Sequence, residues 1–296
     1  MTAEDTTARS GRRSASHGVL IVNLASGGGK ASRFDLVGHC RDRGIDAVVF
    51  ESGDDLSEVA ADAVSRGCDV LGMAGGDGSQ AAVAAVAAEH DLPYVCVPAG
   101  TRNHFAFDIG VDRRDVAAAL DAYFDADERR IDIARVNGRV FLNNVAMGVY
   151  GAIVESDDYR AHKVRTAIAK LADVLAPDAE PFDLRFVDGQ GRAHDSADLI
   201  VVSNNRYAPE RRPRHGTRGA LDQGVLGVIA VSGPPPRGLA EWTTPKFAVA
   251  SSTTVAVGVD GESVHVDPPL VFESMPLALR VRMPVVRSRG VPRLRR

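Results

Sequence analysis

Residues 73–80 read MAGGDGSQ, and three glycines surround Asp77 between the apolar run DVLGMA (69–74) and the alanine-rich run QAAVAAVAAEH (80–90). An apolar run of strand length followed by an alanine-rich run predicts a strand that leads directly into a helix. Glycines at such a junction let the backbone approach a ligand, and the free N–H groups at a helix start attract phosphate. A carboxylate at this position needs an explanation, because it repels phosphate.

Strand-like and helix-like segments alternate on both sides of this loop through the first half of the chain. We predict strands over 18–24, 45–50, 69–74 and 92–97, and helices over 31–43, 55–67, 79–90 and 112–125. Short apolar strands that alternate with helices of this length are typical of a parallel sheet covered on both faces. The sequence therefore predicts an α/β domain with a parallel sheet over residues 18–127, after a disordered tail over 1–17.

The pattern changes after about residue 128. Asn137-Gly138 lies between two β-like runs, which is a strong signal for a hairpin. We predict one helix over 157–176, a long polar loop over 206–224, and short strands over 181–188, 197–205, 224–231, 246–259, 262–266 and 277–284. These features predict a mostly antiparallel β-sandwich domain over 128–284, followed by a basic tail over 285–296.

Composition excludes several classes of protein. The net charge of -4 over 296 residues gives no global field that would recruit nucleic acid. No apolar run reaches the roughly 18–20 residues of a membrane span. The three cysteines are far apart with no CxxC spacing, which predicts a reducing, cytoplasmic setting, and the eight histidines show no zinc-ligand spacing. The oligomeric state is left open.

Three glycine-containing loops each follow a predicted strand, namely NLASGGGK (23–30), GGDGS (75–79) and PAGTRN (98–103). In a parallel α/β sheet such loops meet at one edge, where ligands bind. Together they predict a polyphosphate site, although none has the GxxxxGK[ST] or GxGxxG spacing, and the alternative is that the glycines only terminate strands. A Mg²⁺ ion held by Asp77 would reconcile its carboxylate with phosphate; the alternative is an aspartate in a tight turn.

The same loops resemble the nucleotide-site motifs of the diacylglycerol kinase catalytic-domain family, which includes bacterial lipid kinases and sphingosine kinases. The resemblance covers about residues 18–284 and includes FLNNVAMGVYG (141–151), ALDQGVLGVIAV (220–231) and VDGESVHVDPPL (259–270). It implies an α/β nucleotide domain followed by a β-sandwich domain, with the active site in the cleft between them. It also implies ATP and Mg²⁺ as cofactors, and a lipid or another amphiphilic alcohol as the acceptor of the phosphoryl group.

The resemblance also assigns candidate site residues. In this family the acidic end of the DGE motif is the proposed base, which here is Glu262 with Asp260 beside it. Asp77 is the third catalytic candidate and the implied metal ligand. Taken alone, Asp260-Gly261 is only a two-residue hairpin turn. The implied nucleotide-binding residues are Asn23, Ser26, Gly27, Gly75, Gly76, Asp77, Gly78, Ser79, Gly100, Thr101 and Asn103.

Four positions depart from the family pattern. Ala25 replaces a proline of the first loop, and His104 follows Asn103 where the family has aspartate. Gln223 replaces the second aspartate of the DDG motif, which predicts that a structural magnesium site is lost. The segment 148–150 lacks the acidic residue that meets the acceptor's head group in many members. This leaves room for an acceptor other than diacylglycerol or sphingosine.

The sequence therefore predicts an ATP- and Mg²⁺-dependent lipid kinase, with two alternatives. The first is a kinase of a soluble acceptor such as NAD, but NAD kinases carry an Asn-Glu motif for the ribose, and this chain has no Asn-Glu pair. The second is an inactive nucleotide-binding regulator, against which the intact Asp77, Asp260 and Glu262 weigh. Residues 280–296 carry seven arginines and no acid, which predicts either a solvated tail or peripheral contact with anionic membrane lipid.

Overall fold

The computed structural model describes residues 17–51, 53–149, 182–207, 218–232 and 238–285. Four predicted segments lie wholly or partly outside these ranges. They are residues 1–16 of the predicted tail over 1–17, the predicted helix over 157–176, the middle of the predicted loop over 206–224, and the basic tail after residue 285. Within the described ranges, no helix is long and apolar enough to cross a membrane.

Four parallel strands form one end of the first sheet, which confirms the sequence prediction of a parallel sheet. They are β1 (Gly18–Asn23), β2 (Asp46–Phe50), β3 (Val70–Gly75) and β4 (Pro93–Pro98), in the order β2-β1-β3-β4. The helices of this half are α1 (Ser26–Arg33), α2 (Leu36–Arg43), α3 (Leu56–Ser65), α4 (Asp77–Glu89) and α5 (His104–Asp108). Because the four strands are parallel, the glycine loops that follow β1, β3 and β4 all lie at one edge of the sheet.

The predicted helix over 31–43 is instead two helices, and Asp35 explains the break. Asp35 has a positive φ of 44°, and its side chain accepts a hydrogen bond from the backbone N–H of Gly38 at 3.3 Å. An aspartate in this conformation ends one helix and begins the next, because its carboxylate satisfies a donor at the start of α2.

The predicted helix over 112–125 is reduced to a 3₁₀ helix, Ala118–Tyr123. Asp112 and Asp115 each accept a hydrogen bond from a backbone N–H two or three residues further along the chain. Such local bonds compete with the hydrogen bonds of a regular helix, so the first turn predicted here does not form.

A second, six-stranded antiparallel sheet is formed by the later part of the chain. Its order is β12-β11-β10-β7-β14-β15. The strands are β7 (Asn144–Gly148), β10 (Leu199–Asn204), β11 (Leu226–Ser232), β12 (Gly238–Thr244), β14 (Val255–Val259) and β15 (Glu262–Val266). A small hairpin of β8 (Phe186–Val187) and β9 (Ala193–His194) lies apart from it in the sheet order.

Four strands of the later part of the chain return to the first sheet. They are β5 (Ala126–Val136), β6 (Arg139–Phe141), β13 (Lys246–Val249) and β16 (Leu270–Pro284). β16 is longer than the predicted strand over 277–284, and it pairs in parallel with β4 and antiparallel with β5. The domain limits at residues 127/128 and 284 stay predictions, since the first sheet itself continues into the later strands.

Two packed layers confirm the predicted order of an α/β domain followed by a β-sandwich. The strands that extend the first sheet face the second sheet across a core that includes Phe141, Met147, Val202 and Phe272. The Asn137-Gly138 turn joins β5 to β6 with positive φ at both residues, as the hairpin signal predicts. The sandwich thus places the turns of the second sheet opposite the glycine loops of the first.

Candidate functional site

The three glycine loops meet at one edge of the first sheet, with backbone packed against backbone. A Cβ atom added at Gly27 would collide with the carbonyl oxygen of Ala99, and one added at Gly100 would collide with the Cα atom of Gly76. Gly27 also has a positive φ of 58°. These positions need glycine because any side chain would force the first, second and third loops apart.

A cleft of about 710 Å³ separates these loops from the second sheet. From the first half it is lined by Asn23, Ser26, Gly76, Asp77, Gly78, Ser79, Thr101, Arg102 and His104. From the second half it is lined by Asn143, Asn144, Ala146, Val201, Tyr207, Asp260, Gly261 and Glu262. Of the site residues predicted from the sequence, Gly27, Gly75, Gly100 and Asn103 do not line it.

Asp77 is the first residue of α4, and it is only 9% exposed. Its two carboxylate oxygens accept hydrogen bonds from the backbone N–H groups of His104 and Phe105, at 3.1 and 3.0 Å. The aspartate of the second loop therefore caps α5, the helix that begins directly after the third loop. Part of the answer to why a carboxylate lies among glycines is thus structural.

Two predicted nucleotide-binding asparagines organise their own loops. Asn23 accepts hydrogen bonds from the backbone N–H groups of Ala25 and Ser26, both at 3.1 Å. Asn103 is 5% exposed, accepts from Gly100 N at 2.9 Å and donates to Gly100 O at 2.8 Å. Direct contact of these two residues with a nucleotide stays a prediction.

Asp260 lies at the turn between β14 and β15, with a positive φ of 48° followed by Gly261 at 87°. Its carboxylate accepts hydrogen bonds from Leu142 N and Asn143 N, each at 2.8 Å, and from Asn144 N at 3.1 Å. Burial raises the pKa of this carboxyl to about 7, and the charge of Asp77 acts in the same direction, while the backbone donors act against both. Asp260 thus forms part of the turn between β14 and β15 and also lines the cleft.

Glu262 projects from the second sheet towards the second glycine loop. A Cβ atom at Gly78 would collide with the Glu262 carboxylate, so the glycine at this position makes room for it. The side chain is 53% exposed and pairs with Arg139, whose Nη2 lies 3.4 Å from Oε2. Unlike Asp77 and Asp260, Glu262 shows no hydrogen bond from a backbone N–H group among the described residues.

The sequence reasoning did not single out four residues of this region, Asn143, Asn144, Tyr207 and Arg218. Asn144 Nδ2 donates to the hydroxyl oxygen of Tyr207 at 2.8 Å, and both residues line the cleft. Arg218 lies behind the cleft wall and donates to the side-chain oxygen of Asn143 at 3.1 Å. The resembling segment 141–151 contained both asparagines, but no spacing rule marks an asparagine pair or a lone arginine as part of a site.

Among the described residues, no three His, Cys, Asp or Glu side chains are arranged to hold a metal ion by themselves. The carboxylates of Asp77, Asp260 and Glu262 nevertheless line one cleft. Carboxylate oxygens are the ligands that Mg²⁺ prefers, and the ion usually takes only one or two of them, with water and phosphate oxygens as its other ligands. The residues present therefore fit a magnesium ion that arrives with a nucleotide.

Comparisons with known proteins agree with this geometry. Residues 17–136 match the model of the diacylglycerol kinase catalytic domain. A Stenotrophomonas maltophilia protein named "Probable lipid kinase YegS-like" is 34% identical over 232 residues, which cover 72% of each chain. The chain belongs to the diacylglycerol kinase catalytic-domain family.

Other members of this family show how far the likeness extends. A Mycobacterium tuberculosis diacylglycerol kinase is 30% identical over 198 residues, and the match spans 63% of this chain but only 64% of that relative's length. A crystal structure of a diacylglycerol kinase from Bacillus anthracis superposes with a TM-score of 0.64 at 20% identity, covering 92% of this chain and 98% of that one. At this identity the structure shows a shared fold and no more.

The contact between Gly100 and Gly76 yields a first prediction. Gly100→Ala should push the second and third loops apart and weaken ATP binding by roughly tenfold or more, because overpacking of this kind costs about 1–3 kcal/mol. Gly238→Ala is the matched control, since a Cβ there meets only Ser232 O at an ordinary 3.5 Å. Isothermal calorimetry with ATP measures both, and equal affinities for the two variants would contradict the prediction.

A second prediction concerns the protonation of Asp260. Its folded-state pKa of about 7 lies above the usual value of about 4, so between these pH values the folded protein binds a proton that the unfolded chain has released. The free energy of unfolding should therefore fall as pH rises through this window. In the Asp260→Asn variant this part of the fall should be missing, because the amide does not titrate. The carbon-13 shift of the Asp260 carboxyl, assigned with that variant, gives the midpoint directly, and a midpoint near 4 would be the contrary result.

Proposed function

We propose that this chain is an ATP- and Mg²⁺-dependent lipid kinase that phosphorylates a hydroxyl of a diacylglycerol-like or related amphiphilic alcohol. The observation that carries the proposal is the meeting of three carboxylates, Asp77, Asp260 and Glu262, in one cleft floored by glycine loops. Phosphoryl transfer needs positioning, charge neutralisation and a group that accepts the hydroxyl proton. The cleft offers residues for each of these tasks, and the names of the relatives favour a lipid acceptor.

The nucleotide is proposed to lie across two adjoining cavities. Its phosphates would meet the glycine loops and the start of α4, a helix of 13 residues whose first N–H groups attract anions. A second groove of about 420 Å³ shares Gly78, Asp260 and Glu262 with the cleft. Its other walls include Leu56 and three alanines of α4, Ala81, Ala82 and Ala85. Polar side chains, Asp55, Ser57 and Arg139, complete the lining, and this groove of mixed character is proposed to take the adenine ring.

Asp77 is the proposed ligand for magnesium. Each of its oxygens accepts one backbone hydrogen bond, and a carboxylate has roughly four acceptor positions in all, so it can bind a cation without releasing α5. The bound ion would neutralise charge on the phosphates. The capping bonds hold the carboxylate in place at the mouth of α4.

Glu262 is the proposed base that accepts the proton of the acceptor hydroxyl. Its carboxylate overhangs Gly78, at the point where α4 begins. Among the described residues, the Glu262 carboxylate accepts no hydrogen bond from a backbone N–H group. Its ion-pair partner there is Arg139. Asp260, whose oxygens are occupied by three backbone donors, is proposed to shape the turn that presents Glu262.

The wall formed by the second sheet favours an amphiphilic acceptor. Ala146 and Val201 present apolar surface there, beside the polar side chains of Asn144 and Tyr207. A surface of this mixed character suits an alcohol with an apolar chain better than it suits a dinucleotide.

The absence of an Asn-Glu pair from the sequence also argues against an NAD kinase-like activity. Three carboxylates in place argue against an inactive regulator.

Replacing the proposed base tests the mechanism. Glu262→Gln should lower kcat by about 10²–10⁴-fold with ATP affinity little changed, because the amide keeps the shape of the side chain and loses the basic oxygen. Asp77→Asn should instead lower phosphoryl transfer severely, most of all at limiting Mg²⁺, because a proposed ligand of the ion is lost. Glu241→Gln is the control, since Glu241 is also a half-exposed partner of an arginine, Arg206, and lies outside the cleft. Normal turnover by Glu262→Gln would move the role of base to Asp77 or Asp260.

The basic tail yields a separate prediction about membrane contact. Of the seven arginines of residues 280–296, Arg280 and Arg282 lie within β16, and the five of the basic tail fall after residue 285, outside the described residues. A protein that ends at Pro284 should bind anionic vesicles more weakly than the full chain, by roughly 1 kcal/mol for each basic residue near the surface. Vesicle sedimentation at low salt measures this, and equal binding by the two proteins would reject the proposal.

A further inference from the structure

One amide group on the wall of the cleft has no hydrogen-bond partner among the described residues. Asn143 is 4% exposed and lines the cleft, and within the described part of the chain its side-chain nitrogen Nδ2 makes no hydrogen bond. A buried donor without an acceptor is costly, because it has given up its hydrogen bonds to water. A group of this kind at the edge of a ligand cleft points to an acceptor atom that the ligand supplies.

The orientation of this amide is determined by its neighbour. Arg218 Nη2 donates to the other end of the Asn143 side chain, at 3.1 Å. A guanidinium group has five donors and no acceptor, so the atom that faces Arg218 must be the amide oxygen. The nitrogen therefore points away from Arg218, and an exchanged assignment of the two amide atoms is excluded on chemical grounds.

Arg218 is itself held rigidly from three directions. Its guanidinium is fully buried and pairs with Asp108 of α5, with Nη2 and Nε at 2.6 and 2.8 Å from Oδ2. Its Nη1 also donates to the backbone oxygens of Leu142 and Asn204. The side chain that orients Asn143 therefore cannot change rotamer without leaving a buried carboxylate unpaired.

The backbone of Asn143 places its side chain on the acceptor wall of the cleft. Its N–H donates to Asp260 at 2.8 Å, and its carbonyl accepts from Asn204 N at 2.9 Å. The next residue, Asn144, bonds to Tyr207. The glycine loops, which carry many backbone donors for phosphate, belong to the opposite wall. Asn143 thus lies on the wall opposite the glycine loops, and an oxygen of the acceptor would supply the partner that its amide nitrogen lacks.

We propose that Asn143 donates a hydrogen bond to a hydroxyl or ester carbonyl oxygen of the acceptor alcohol, and that Arg218, held by Asp108, is the positioning residue that orients this donor. The inference rests on the proposed lipid kinase function and deepens it. It makes acceptor recognition depend on a residue of the first half of the chain, because Asp108 belongs to α5. An acceptor that offers no oxygen near its phosphorylated position loses this bond.

Two substitutions of Asn143 and one of Arg218 test the proposal. Asn143→Asp keeps an oxygen for Arg218 and replaces the donor by a carboxylate oxygen, which adds a negative charge. Asn143→Leu removes the amide without adding charge. With dioctanoylglycerol as the acceptor, both should lower kcat/KM by roughly 10- to 100-fold, mainly through KM, with the Kd of ATP unchanged. Arg218→Lys keeps the positive charge and loses the planar, forked set of donors that the guanidinium presents. It should likewise raise the KM for dioctanoylglycerol and leave the Kd of ATP unchanged.

Gln190→Glu is the control for the change from amide to carboxylate, because Gln190 is exposed at the turn between β8 and β9 and does not line the cleft. Its kinetic constants should equal those of the wild type. Circular dichroism confirms that each variant is folded, and the two Asn143 variants give independent measurements. A purely structural role for Asn143 would lower the melting temperature without a selective rise in KM, and that result would overturn the inference.

The failure of this inference can be distinguished from the failure of the proposed function. If the wild type binds ATP but phosphorylates no lipid alcohol, the proposed function fails and the acceptor role of Asn143 fails with it. If the wild type phosphorylates dioctanoylglycerol and both Asn143 variants match it, only the inference fails. If the variants lose ATP affinity with an unchanged KM for lipid, the partner of Asn143 is a nucleotide phosphate, which also overturns the inference.

Discussion

The buried ion pair between Arg218 and Asp108 is the interaction on which the geometry of the cleft depends. The two side chains are 0% and 6% exposed, and they join α5 of the first half to the backbone of the second sheet. Removing one partner of such a pair typically costs about 3–5 kcal/mol, because an uncompensated charge stays buried. A pair of this kind therefore holds the two walls in one relative position.

The same helix α5 connects this pair to the glycine loops. Asp77 of the second loop caps its first residues, and Asp108 at its last residue binds Arg218. A displacement of α5 would therefore disturb both its contacts with Asp77 and its ion pair with Arg218. The short helix would otherwise have little to fix it, since isolated helices of this length are not stable in water. Its two carboxylate contacts make it a link between the glycine loops and the wall formed by the second sheet.

The three carboxylates of the cleft have different surroundings, and this is why they can have different roles. Asp77 and Asp260 are anchored by backbone donors, so their oxygens are fixed in position. Glu262 is more exposed and pairs with Arg139. Burial raises the pKa of the Asp260 carboxyl, and repulsion by the charge of Asp77 acts in the same direction. A cation that accompanies the nucleotide would relieve this repulsion.

Local patterns in the sequence determined the parallel strands, the three glycine loops and the Asn137-Gly138 and Asp260-Gly261 turns, because the spacing of apolar residues and the conformational freedom of glycine act over a few neighbours. They did not reveal that β16 returns to the first sheet, or that Asp35 divides a helix.

Only the tertiary structure decided the pairing of Arg218 with Asp108, which are 110 residues apart, and the orientation of the Asn143 amide. It also decided the raised pKa of Asp260. Each of these depends on which polar groups lose water together, and that is a property of the folded packing rather than of any stretch of the chain.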